Sequence, residues 1–113
     1  MINTQTSLSG LKASAAQQAA SAHTMANLGT DGFAGQRTTQ QSQSGLGVST
    51  QVDTVTLSDE ALAISEQVDG AQNGVDIAEE SVSQIQSREN FKQNAAAIRT
   101  QDHLLQSLID IVA

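Results

Sequence analysis

The chain has 113 residues, 38% of them hydrophobic, and its only aromatic residues are Phe33 and Phe91. That length allows at most one domain, and an apolar fraction this rich in alanine excludes a large packed core. With 5 basic residues against 12 acidic, a net charge of −7, it offers no cationic footprint for a nucleic-acid backbone.

Cysteine is absent, so disulfides and thiolate metal sites are unavailable. No apolar run approaches the ~18–20 residues of a membrane span. The opening MINTQTSLSGLKAS lacks the basic start and apolar centre of a cleavable secretory signal. Together these features predict a helical protein, marginal as a monomer, that gains order by packing against partners.

The first predicted element is a helix over about residues 5–28. Leu8, Leu11, Ala15, Gln18, Ala22 and Met25 recur at alternating spacings of three and four and form one seam. Gly29, Gly32 and Gly35 then break the helix. From Thr38 to Gln51 the composition reads as a solvated, low-complexity connector. A short extended segment follows near Val52–Leu57. Ser58 is a candidate N-cap for a short helix near 59–69, with Leu57 and Leu62 placed as a hydrophobic staple.

The last element is a long helix over about 75–112, with Asp76 and Glu79 at capping-box spacing. Val75, Ala78, Val82 and Ile85 form one stripe; Phe91, Ala95, Ile98, Leu105, Ile109 and Val112 form another. The expected organisation is an N-terminal helix and turn (1–37), a polar linker (38–74) and a C-terminal helix (75–113). The expected fold is all-α: the two end helices pair as an antiparallel hairpin or coiled coil around a short, partly disordered middle. The apolar stripes are expected to bury each other, with Leu105 and Ile109 toward the core.

Nothing in the chain suggests catalysis. His23 and His103 lack any HxxxH or HExxH partner and read as helix-surface residues. Adjacent Glu79 and Glu80 point in different directions and suit the positive end of a helix dipole better than acid–base work. A weak SxxK at Ser9–Lys12 has no supporting nucleophile chemistry. The three glycines after the first helix have neither a preceding strand nor a following Lys-Ser/Thr, so they form no phosphate loop. No enzyme activity, cofactor or metal is expected.

Residues 23–34, HTMANLGTDGFA, carry Met25, Ala26, Asn27, Thr30, Gly32 and Phe33 in the pattern NNIANxNTxGFK. That pattern resembles the N-terminal signature of bacterial flagellar rod and hook proteins. His23, Thr24 and Gly29 replace its asparagines, and Ala34 stands where a basic residue is common. The C-terminal half is similar to that family without a gap at Val75, Glu79, Glu80, Ile85, Phe91, Asn94, Ile98, Thr100, Asp102, Leu105 and Gln106. It departs at Arg88-Glu89, a shifted charge pair, and at Phe91, which lacks the usual tyrosine hydroxyl. The two stretches span some two-thirds of the chain.

The resemblance implies a structural subunit whose end helices form the inner core of a tubular axial filament. It further implies delivery through the flagellar type III export apparatus, largely unfolded, to a basal body whose rod spans the periplasm in Gram-negative bacteria. Its partners would be other rod subunits and itself, and the short middle segment points to the proximal rod. On that reading the assembly interface comprises Leu8, Leu11, Met25, Asn27, Gly32, Phe33, Ile85, Phe91, Asn94, Ile98, Leu105 and Ile109. Phe33, flanked by glycines with no local shelter, is expected to anchor a neighbouring subunit. Without the end motifs, the residues would suit first a soluble helical-hairpin adaptor or export chaperone that docks partner helices; the substituted asparagines and missing basic residue would also suit a degenerate paralogue of the rod.

Overall fold

The structure is a computed structural model that describes residues 4–30, 32–56, 58–60 and 75–112. Helix α1 (Thr4–Ala26) is followed by strands β1 (Gln36–Gln43) and β2 (Gly47–Thr54), and then by helix α2 (Ile77–Val112). The chain is elongated, 73 × 24 × 15 Å along its principal axes. Asp59 and Glu60 are helical. The rest of the short helix expected near 59–69, and its Leu57–Leu62 staple, lie outside the described residues.

Helix α1 is built mainly from alanine, glutamine and serine, and it ends at the motif stretch. The Asn27 side chain donates from Nδ2 to the His23 carbonyl at 2.9 Å, satisfying one of the carbonyls that a helix end leaves open. Thr30 N then donates to Asn27 O at 3.0 Å and Phe33 N to Thr30 O at 3.2 Å. Gly32, at φ 71°, supplies the left-handed backbone that lets the chain reverse. Thr24, 1% exposed, accepts a hydrogen bond from Gln36 N at 3.0 Å and so ties the start of β1 to the end of α1.

The segment read as a solvated connector is in fact an antiparallel β-ribbon, paired in register from Gln36–Thr54 to Gln43–Gly47. The fold is therefore mostly helical and not strictly all-α. Thr38, Thr39, Val48, Thr50 and Val52 supply β-branched residues, and Ser44-Gly45-Leu46 closes the loop, with Leu46 N donating to Gln43 O at 3.2 Å.

A two-stranded ribbon is marginal by itself, and this one leans along α1. Its base is held at Thr24, and at its tip Val48 N donates to Ser9 Oγ at 3.0 Å. An eight-residue strand spans about 26 Å, close to the ~23 Å of helix between Ser9 and Thr24. Gly47 (φ 92°) packs so tightly on α1 that a Cβ there would collide with Ser9 Oγ and crowd the Thr6 backbone. Helical spacing from Ser9 and Thr24 puts Ala13 and Ala20 on the same face. These are the only buried hydrophobic residues among those described, at 2% and 5% exposure.

Helix α2 starts on Asp76, whose carboxylate accepts from Ala78 N at 2.8 Å and Glu79 N at 3.3 Å, an N-cap as the sequence predicts. The Glu79 carboxylate turns to Arg37 on β1 at 3.0 Å and so clips the helix start to the ribbon. Contacts from α2 to α1 run in reverse order: Ser7 with Gln101, Gly10 with Asn94, Gln18 with Ser87, Ser21 with Glu80. The helices are antiparallel. Because Gln101 is already level with Ser7 and α1 is described only back to Thr4, residues 105–112 continue about 12 Å along the axis past that start.

Candidate assembly surface

The surface that joins the two helices is polar. On α2 it follows Glu80, Ser83, Gln84, Ser87, Asn94 and Gln101, residues that keep the three-and-four spacing of one helix face. The Ser87 hydroxyl, fully buried, lies 2.5 Å from Gln18 Oε1. Ser21 donates to a Glu80 carboxylate oxygen at 2.6 Å. Gln17 Nε2 donates to Ser83 Oγ at 3.3 Å, and Gln84 Nε2 to Met25 Sδ at 3.2 Å.

At Gly10 the helices pass close together: a Cβ there would stand 2.8 Å from Asn94 Oδ1. Gln101 Nε2 reaches Ser7 Oγ at 3.5 Å, while its buried Oε1 has no partner among the described residues. Small hydroxyl and glycine positions let the backbones approach, and hydrogen bonds between the side-chain amides and hydroxyls satisfy most of the polar groups so enclosed.

This corrects the expectation that the apolar stripes bury each other. On α1 the residues that meet α2 are Ser7, Gly10, Gln17, Gln18, Ser21 and Met25, a face rotated from the expected Leu8–Leu11–Ala15–Gln18–Ala22–Met25 seam. Leu8 is 45% exposed and Leu11 half-buried. On α2, Val82, Ile85, Leu105 and Ile109 are all more than half exposed: the first two lie off the face that meets α1, and the last two lie beyond the level of its described start. An alanine- and serine-faced α1 is too narrow to cover stripes that wide, and polar groups brought close must instead find one another.

The predicted interface residues thus divide. Met25 and Asn94 belong to the intrachain seam, and half-buried Ile98 and partly exposed Phe91 sit at its level. Asn27 and Gly32 shape the turn. Leu8, Ile85, Leu105 and Ile109 stay outward. The ring of Phe33 is not unsheltered: it stacks on His23 with centroids 5.5 Å apart at 18°, and the residue is half-buried. The distance between positions 23 and 33 hides this contact, which exists only because the Asn27–Gly32 turn folds the chain back.

Sequence reasoning missed the serines. Ser14, Ser21, Thr24 and Ser87 are more deeply buried than any leucine or isoleucine described. Their signal was a three-and-four recurrence of small polar residues, masked by attention to apolar ones.

Charge plays a minor part. The Lys92 ammonium, 2.9 Å from Glu89, holds that carboxyl below the usual carboxylate range through its hydrogen bond and charge. The pair lies on the solvent face of α2. Among the described residues there is no cluster of His, Asp and Glu able to hold a metal ion, and no helix long and apolar enough to cross a membrane. Comparison with family models, curated proteins and solved structures finds no significant match.

Proposed function

We propose that the chain is a structural subunit of the bacterial flagellar basal-body rod, co-assembling with itself and other axial subunits through its end helices. The observation that carries this reading is the coincidence of two features at the same chain ends. The helices that bear the rod-and-hook motif resemblance are also those whose large aliphatic side chains remain outward, from Leu8 on α1 to Ile85, Leu105 and Ile109 on α2. A hairpin that closes itself with serines and glutamines leaves its apolar area for neighbours. The same polar seam opens at low cost, as delivery through a narrow export channel would require.

The test is quantitative mass spectrometry of basal bodies purified from the native bacterium. The chain should be present in fixed ratio to the other rod subunits. Its absence from basal bodies, with recovery only in soluble complexes with export cargo, would mark it as an adaptor or chaperone instead.

A further inference from the structure

The face of α2 that meets α1 does not stop where α1 stops. Asn94, Ile98 and Gln101 are followed at the same alternation by Leu105, Leu108 and Val112, so one continuous helix face changes from polar to aliphatic. Leu105, Leu108, Ile109 and Val112 line a single shallow concavity. With Leu104 and Ile111, they are 51–87% exposed. These six side chains make an apolar patch on the order of 500 Å², the size at which an exposed patch marks an interaction site.

We propose that in the free protein this patch is covered by the same patch of a second copy, the two C-terminal overhangs lying antiparallel about a two-fold axis. Two such faces closing on each other bury about 1,000 Å², the lower bound for a specific interface. Self-complementarity follows from the symmetry, because an aliphatic patch with no charged residue among its lining side chains is matched by a copy of itself.

The helix ends agree. α1 has no acidic residue in its first turn, and α2 has no basic residue in its last, so neither macrodipole is answered there within its own helix. The antiparallel pairing directs the carbonyl end of each α2 toward the amide end of the other copy's α1, where the two partial charges attract.

The inference does not rest on the axial reading. A two-fold pair caps its own patch and does not propagate, so a free dimer would have to open before the chain joined any polar tube. Dimerisation and presence in basal bodies can therefore fail separately.

Sedimentation velocity on the purified full chain tests it. The expected species is twice 11.8 kDa at micromolar concentration, reverting to monomer in Leu108→Glu with an unchanged circular dichroism spectrum. Since the chain has no cysteine, single cysteines report the geometry. Ile109→Cys, near the middle of the overlap, should form a disulfide-linked dimer under mild oxidation. Val82→Cys, similarly exposed at 53% but remote from the patch, should not. A monomer at every concentration overturns the proposal. So does a dimer that Val82→Cys links as readily as Ile109→Cys, or one that Ile109→Cys fails to link.

Discussion

From Ile77 to Gln101, α2 leans on α1 through hydroxyls, amides and a glycine contact, and there its aliphatic residues Val82 and Ile85 look outward. Beyond about Leu104 the same helix has no described residue of α1 level with it, and the equivalent face is leucine, isoleucine and valine. Within one helix, the intrachain contact is polar and the uncovered surface apolar, the reverse of an ordinary helical hairpin. The comparison shows that a small chain can shape itself through polar contacts and leave most of its large apolar side chains uncovered. A serine seam orders the hairpin without consuming the few large apolar side chains available. Net stability from such hydrogen bonds is modest, on the order of 1 kcal/mol each, which keeps the lone chain marginal.

The largest effect should come from placing a charge on the overhang. Ile109→Asp or Leu105→Asp should abolish incorporation into basal bodies and leave export intact, because a carboxylate enclosed by apolar neighbours costs several kcal/mol. In the monomer, at concentrations too low for self-association, the same substitutions fall on exposed positions, so the unfolding free energy should change by no more than about 0.5 kcal/mol. Fractionation and denaturant titration on the same variants check both halves. Normal incorporation would erase the distinction between the two regions.

The seam should respond in the opposite way. Ser87 is fully buried against Gln18, and Ser87→Leu would overpack the hairpin there. A loss of about 1–3 kcal/mol in urea unfolding of the free chain is expected. If the leucine stabilises the hairpin, the polar seam is not what sets the helix spacing.

Much of this was legible in the sequence, and the failures have physical causes. The helices expected at 5–28 and 75–112 are observed at Thr4–Ala26 and Ile77–Val112, and Asp76 caps as its position suggests. Caps and helix formers are local properties, readable from neighbours in the chain. The ribbon escaped because QRTTQQSQ and GVSTQVDT lack the apolar alternation that marks a strand half-buried on a core. What remained visible was weaker: β-branched residues around Gly45 and Gly47, both at positive φ. The apolar stripes lie on the helices as expected but do not bury each other. Periodicity shows that residues share a face, and it does not say which face wins the intrachain contact.

A smaller effect belongs to the turn between α1 and the ribbon. Phe33→Ala removes the ring that stacks on His23 and should cost about 0.5–1.5 kcal/mol, read as a shift of the His23 ring protons by NMR and a lower unfolding midpoint. Unperturbed His23 resonances would deny the stack. An incorporation defect well beyond that cost would show that Phe33 also touches a neighbour.

The smallest effect lies on the solvent face. The folded-state pKa of Glu89 is depressed by Lys92, so any stability from the pair is present above the unfolded value and fades as pH falls through the folded one. For an exposed pair that contribution should leave the unfolding midpoint unmoved. NMR titration should nonetheless show the Glu89 carboxyl titrating lower in the natural chain than in Lys92→Ala.

The contrast between the two halves of α2 is most directly read by amide hydrogen exchange on the free chain as a function of its concentration. Protection at residues 80–101 comes from a contact within one molecule and should not change on dilution. Protection at 102–112 comes from other molecules and should rise from near zero as concentration increases. Strong protection of 102–112 at high dilution, or a parallel rise in both segments, would contradict the separation of a folding surface from a joining one.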